Sequence, residues 1–251
     1  MIYLLFFIAT ILILAVFLYQ VQYFIVFDPK KHRKEELDEK FSLLEIKAED
    51  GTLLEGAEYC PLNFKHTLFY VGGRSQDTVG LIHKLSRSFE DCRILTFNYR
   101  GYGDSKGMPS EQNIYGDVLH VAKRFLAHYG DFSIIGFSIG SSAAAYAASK
   151  LKVQRLFLLG GFDSVRNIFL KRGFPSFLIK YDFNTALYVK DVDADTYLIS
   201  SQDDDVVPIE NARNLKSRIK KLTEYKELSG CSHDEILFSD ETINLVKRVL
   251  S

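Results

Sequence analysis

The chain has 251 residues, 47% of them hydrophobic, and 31 basic side chains against 32 acidic ones give a formal net charge of −1. That composition supports one large core, and charges so evenly mixed give no electrostatic case for a nucleic-acid partner, which would need a basic face. Three cysteines, Cys60, Cys92 and Cys231, lack CxxC or metal-ligand spacing, which argues against a disulfide framework and for a reducing compartment; neither a metal nor a cofactor is expected.

Taken in chain order, the first feature is an apolar run. Residues 2–19 are unbroken apart from Thr10, and some 18–20 such residues cross a hydrocarbon core of roughly 30 Å at about 1.5 Å per residue. A cleaved signal peptide would want a basic stretch before the run and a small-residue cleavage site after it, and neither is present. A buried core helix this long and apolar on all sides is unusual at a terminus. Residues 1–27 are therefore expected to form one transmembrane anchor. The run Lys30-Lys31-His32-Arg33-Lys34 follows it, and no charged side chain precedes it. The positive-inside rule then leaves the rest of the chain on the cytoplasmic side of the cell inner membrane. Residues 28–40 are charged and are expected to be a linker, with one domain over 41–251.

From Phe41 the texture alternates. Residues 42–48 and 52–60 predict two strands joined at Asp50-Gly51, a strong hairpin dipeptide. Further strands are expected at 67–71, 93–98, 133–137, 153–159, 196–200 and 223–228, mostly continuous apolar runs suited to burial on both faces. Helical patterns fall at 77–89, 111–129, 139–150, 209–220 and 240–250. This order implies right-handed crossovers and an α/β fold, a mainly parallel eight-stranded sheet flanked by helices after an antiparallel start. Residues 160–190 fit the alternation poorly and are expected to make a partly helical excursion over the sheet's C-terminal edge.

The chemistry concentrates at strand ends. Gly136-Phe-Ser138-Ile-Gly140 follows a predicted strand and opens a predicted helix, the setting of a nucleophile elbow. Small neighbours let the turn fold tightly and keep Ser138 exposed, with the positive end of the helix dipole nearby. An idle glycine-rich turn is the alternative. A serine hydroxyl needs a base oriented by an acid, in the order Ser, Asp, His. His233 is the one histidine beyond Ser138, in SGCSHDE after the last strand, and the run Asp203-Asp204-Asp205 follows the strand before it. Both loops lie at strand C-termini, the edge where parallel sheets assemble sites.

The run Asn98-Tyr-Arg-Gly-Tyr-Gly-Asp-Ser-Lys-Gly107, with Pro109-Ser110-Glu111 and Asp117 after it, resembles the NYRGYGxSxG…PSE…D pattern of α/β hydrolases. It is most similar to the serine-aminopeptidase-like group of small membrane-anchored bacterial serine hydrolases, and the likeness extends from about Leu43 to the C-terminus. The resemblance implies an α/β-hydrolase fold and a Ser138-Asp204-His233 triad. In that group the acid stands in G-x-x-D-x-x-V-P, matched here by Ser201-Gln-Asp-Asp204-Asp-Val-Val207-Pro208 with serine for the first glycine. Asp163, in GGFDS, is the runner-up acid. The group carries His-Gly after its third strand, where this chain has Val71-Gly72-Gly73. Backbone donors do not depend on that side chain, so Gly73 N–H and Ile139 N–H are the expected oxyanion hole. What this implies is cleavage of an ester, thioester or amide, with a small-molecule, lipid or acylated-protein substrate. The alternative is a non-catalytic binding or scaffold protein on the same fold. Phe162, Phe169, Phe174, Phe177 and Phe183 are expected to pack in the fold, with an acyl pocket as the alternative.

Overall fold

The computed structural model describes residues 2–31 and 39–251. Helix α1 (Ile2–Val26) exposes apolar side chains on all sides along most of its length, Phe6, Phe7, Leu12 and Phe17 among them. Its last turns bury one side, while Phe24 and Ile25 stay exposed. Gln22, Val26 and Phe27 are buried, and the Phe27 ring sits 5.0 Å from Tyr181 and 6.1 Å from Phe183. The end of the helix therefore packs into the globular body. His32, Arg33 and Lys34 of the basic run, and the middle of the expected linker, lie outside the described residues.

Eight strands form one mixed sheet: β1 (Phe41–Lys47), β2 (Leu53–Tyr59), β3 (His66–Val71), β4 (Cys92–Phe97), β5 (Ser133–Phe137), β6 (Arg155–Leu159), β7 (Asp195–Ser201) and β8 (Leu222–Leu228). The spatial order is β1-β2-β4-β3-β5-β6-β7-β8. β1 pairs with β2, and β2 with β4, antiparallel; every later pairing is parallel. The turn at Asp50-Gly51 makes the first hairpin, with Gly51 at φ +85°, a left-handed geometry that favours glycine.

The flanking helices are α2 (Ile82–Ser88), α3 (Glu111–Tyr129), α4 (Ile139–Ala148), α5 (Val165–Lys171), α6 (Thr185–Tyr188), α7 (Ile209–Lys216) and α8 (Asp240–Leu250). α3 keeps the bounds its sequence signals. Ser110 Oγ accepts Asn113 N–H at 3.1 Å as an N-cap, and Gly130 ends the helix at φ +78°. α2 begins five residues later than the helical pattern that starts at Asp77. The Asp77 carboxylate is held instead by Asn98 Nδ2 (2.6 Å) and Gly80 N–H (3.0 Å), so residues 77–81 make a turn. The excursion over 160–190 contains α5, a 3-10 turn (Ser176–Leu178) and α6. Packing on both sheet faces leaves β5 wholly buried and places its C-terminal end, with those of β3, β7 and β8, on one edge.

Candidate active site

Ser138 stands between β5 and α4 at φ 55° and ψ −122°, one of two non-glycine residues with positive φ among the described residues. Such a backbone costs about 1–3 kcal/mol and persists only where its surroundings enforce it. The glycines explain how. A Cβ on Gly136 would meet the Gly140 carbonyl oxygen at 2.6 Å and the Ala144 Cβ at 2.7 Å. One on Gly140 would meet the Val71 and Gly72 carbonyl oxygens at 2.3 and 2.4 Å. The spacing thus lets α4 close against both β5 and the end of β3. Alanines 143, 144, 145 and 147 complete that close approach, each fully buried. Ser138 is only 6% exposed, buried where the sequence predicts an exposed side chain, because it lines a cavity and does not face open solvent.

His233 follows β8 and is 5% exposed. Its Nδ1 is 2.7 Å from Asp204 Oδ2. The other oxygen of Asp204 accepts the N–H groups of Val206 (2.9 Å) and Val207 (2.6 Å). Both side chains are almost out of solvent. The neighbouring acids lace the same two loops together: Asp203 Oδ2 accepts Gly230 N–H at 2.6 Å and Asp205 Oδ1 accepts His233 N–H at 3.2 Å. That backbone bond holds the Asp205 carboxyl below its usual range. Ser201 Oγ donates to the Cys231 carbonyl at 2.5 Å. Each acid of the triplet therefore has its own partner across the gap, and only Asp204 reaches the imidazole ring.

Ser138 and His233 line one cavity of about 300 Å³, with Arg74, Gln76, Phe137 and Phe238. The Phe137 ring lies 5.0 Å from the imidazole, and Gly160 also approaches it closely, since a Cβ there would lie 3.0 Å from Cε1. No hydrogen bond joins Ser138 Oγ to the ring in this structure. Nucleophile–base bonds of this kind commonly tighten only when a substrate fills the site.

The expected oxyanion donors lie beside Ser138. Ile139 is the first residue of α4, so its N–H has no partner within the helix. A Cβ on Gly73 would meet Phe137 Cδ1 at 2.8 Å and the Ser138 Cβ at 3.3 Å, so a larger residue there would force the Phe137 ring to shift. The Gly73 N–H, however, donates to Gln76 Oε1 at 2.9 Å, and the buried Tyr70 hydroxyl donates to the same oxygen at 2.6 Å. Burial pushes the Tyr70 phenol well above its ordinary pKa, keeping it a donor. Gln76 gave no sequence signal. Its place depends on Tyr70 beneath it, which no local pattern reveals. Val71, where the resembling group has histidine, is buried, and its loop is fixed from the other side by Tyr99 Oη donating to the Gly72 carbonyl at 2.7 Å.

Asp163 lies elsewhere. Its carboxylate takes Asn211 Nδ2 (2.7 Å), Asn167 Nδ2 (2.8 Å) and Ser164 N–H (2.8 Å). None of the five phenylalanines of the excursion lines the Ser138 cavity. Phe162, Phe169 and Phe183 are buried in the core, Phe174 is half-buried against it, and Phe177 is exposed.

Among solved structures, the esterase Pf2001 of Pyrococcus furiosus superposes with a TM-score of 0.68 at 18% identity, over 90% of this chain and 96% of that one. The chain has the α/β-hydrolase fold. A family model described as the alpha/beta hydrolase fold matches residues 71–188. A cold-adapted esterase from an Arctic intertidal metagenomic library shares this fold with a TM-score of 0.61 at 12% identity, over 88% of this chain and all of that one. The human alpha/beta hydrolase domain-containing protein 17B is 23% identical over 206 residues, spanning 76% of this chain and 68% of that protein. The mouse 17C protein matches at the same identity over 62% of its length. On the α/β-hydrolase fold, Ser138, Asp204 and His233 follow β5, β7 and β8, all at one edge of the sheet.

Proposed function

We propose that this chain is a membrane-anchored serine hydrolase that cleaves an ester, thioester or amide through an acyl-enzyme. The observation that carries the reading is the bond between His233 Nδ1 and Asp204 Oδ2 in a cavity shared with a serine on a strained elbow. The esterases of the same fold support it. With Nδ1–H held by Asp204, His233 Nε2 carries the free lone pair and serves as base. Ser138 Oγ attacks the substrate carbonyl carbon as its proton passes to Nε2. The carbonyl π pair moves to oxygen, and Ile139 N–H and Gly73 N–H stabilise that oxyanion, which displaces Gln76 Oε1 from Gly73. Collapse expels the leaving group, which takes the proton from His233. Water then adds to the acyl-enzyme with His233 again as base, and the acid and free Ser138 are released.

α1 supports an assignment at the cell inner membrane, with the hydrolase body on the cytoplasmic side. Arg74 lines the cavity and donates to the Phe24 carbonyl of α1 at 3.1 Å, so the rim of the site adjoins the end of the anchor. That neighbourhood favours a substrate at the bilayer surface, a lipid or an acylated protein, over a freely diffusing metabolite. The second reading is a scaffold that keeps the fold without turnover, and the engagement of Gly73 N–H by Gln76 is the observation in its favour. A fluorophosphonate probe separates the two. Labelling of the wild type that disappears in Ser138→Ala is the expected result; absent labelling, or labelling that survives the substitution, gives the scaffold.

A further inference from the structure

We propose that residues 165–181 form a second contact with the lipid bilayer beside α1. In this contact Phe177 enters the boundary between head groups and acyl chains, and Lys171, Arg172 and Lys180 face anionic head groups. The sequence of the segment is VRNIFLKRGFPSFLIKY, four cations and no acid in a chain of net charge −1. Its apolar residues are not all spent on the core. Phe177 is 83% exposed, and Leu170 is 40% exposed. Lys171 and Arg172, both exposed, donate to neutral oxygens, Asn211 Oδ1 and the Val206 carbonyl. Among the described residues none of the three cations has a carboxylate partner. Arg166 differs, facing Asp182 at 3.7 Å.

What fixes the occupant is the position of this segment against α1. The buried amide of Gln22 is clamped at both ends, its Nε2 donating to the Leu178 carbonyl at 2.7 Å and its Oε1 accepting Lys180 N–H at 2.8 Å. The Lys180 ammonium lies 5.1 Å over the Tyr19 ring. Tyr19 is about 26 Å along α1 from Ile2, close to the full depth of a hydrocarbon core. Gln22 and the turn bonded to it then sit at head-group level. An exposed aromatic flanked by unpaired cations at that level has the composition of an interfacial membrane contact. The proposal rests on α1 lying in a bilayer and is independent of any catalytic activity.

The chain contains no tryptophan, so single substitutions give clean reporters. The full chain carrying F177W, L12W or L62W is reconstituted in phosphatidylcholine–phosphatidylglycerol vesicles whose acyl chains bear bromine at shallow or deep positions. Leu12 lies mid-way along α1, and Leu62 is 95% exposed on the β2–β3 loop. The expected result is blue-shifted F177W emission, roughly halved by shallow bromine and shielded from iodide, as for an interfacial side chain. L12W answers to deep bromine, and L62W answers only to iodide. Adding K171E, R172E and K180E weakens the bromine quenching of F177W in anionic vesicles more than in zwitterionic ones. F177W that behaves like L62W while L12W is quenched overturns the contact. So does F177W shielded from iodide but untouched by bromine, which gives a second copy of the chain as the cover. L12W untouched by bromine overturns the placement of α1 and this contact together.

Discussion

His233 meets Asp204 through Nδ1 at 2.7 Å, while the second oxygen of the same carboxylate is fixed by two backbone N–H groups of the following turn. The carboxylate cannot rotate away without leaving Val206 and Val207 N–H unpaired, so it dictates which ring nitrogen carries the proton. Asp204→Asn offers an NH2 or a weaker acceptor and releases the ring into the wrong tautomer. We expect kcat on a p-nitrophenyl ester to fall by about 10³–10⁴-fold with KM little changed. Steady-state kinetics beside Asp203→Asn and Asp205→Asn check this, since those two bond only backbone and should lose far less.

Gln76 makes a prediction of opposite design. A carboxylate in its place would still accept from Tyr70 and Gly73, but more strongly, and would repel a developing oxyanion. Gln76→Glu is expected to lower kcat by about 10- to 100-fold while the protein stays folded. Unchanged kcat in the variant would remove Gly73 N–H from the reaction.

The elbow predicts a stability difference between two inactive proteins. Ser138→Ala keeps a Cβ at φ 55°, whereas Ser138→Gly relieves it. The glycine variant should melt roughly 2–4 °C above the alanine variant, for about 1 kcal/mol of released strain. Paired thermal scans in the same detergent decide it.

Arg100 holds the NYRGYG loop by a two-pronged bond to Asp117, both contacts 2.8 Å, and by a further bond to Asp50 at 2.6 Å. Asp117 is 4% exposed, so truncating Arg100 strands a buried charge. Arg100→Ala should cost about 3 kcal/mol, or roughly 6–12 °C in Tm, and Asp117→Asn in the Ala background should recover part of it.

At the end of β8, the Arg213 guanidinium and Tyr225 hydroxyl hold the Glu227 carboxyl down at about 2, against an ordinary 4.5. A depressed acid contributes stability above its unfolded pKa and loses it as pH falls through its folded one. The Glu227 contribution is therefore fully present above about pH 4.5, declines as the pH falls toward 2, and is gone below that. For a pair this open to solvent screening it is small. The Tm gap between wild type and Glu227→Gln should be fully open at pH 6 and narrow steadily as the pH is lowered from about 4.5 to about 2.5.

The parts of this architecture that were legible are those written in local chemistry. β5 and α3 have the bounds their residues predict, because an apolar run, a serine cap and a terminal glycine each act within a few positions. The late start of α2 was not legible, since it is Asn98, across the sheet, that takes Asp77 out of the helix. Ser138 and His233 stood out as residue types at strand ends, whereas Gln76 and Gln22 did not. Each owes its role to a partner distant in sequence or buried beneath it: Gln76 to the Tyr70 hydroxyl, Gln22 to the backbone of residues 178 and 180. The acid triplet was legible in position from the strand before it, and the resemblance, through the spacing to Val207-Pro208, singled out Asp204. The backbone partners of Asp203 and Asp205 exist only once the 230–233 loop lies alongside.

The clamp on Gln22 carries a consequence for how such a protein meets its substrate. A body hung on a long flexible leash samples a hemisphere of water around its tether, and most of that volume holds nothing it can cut. If α1 lies in a bilayer as proposed, the grip on its final turn makes the body a fixed cap at constant height. Encounters then take place in two dimensions, at a rate set by lateral diffusion and by how many target molecules share the same sheet of lipid.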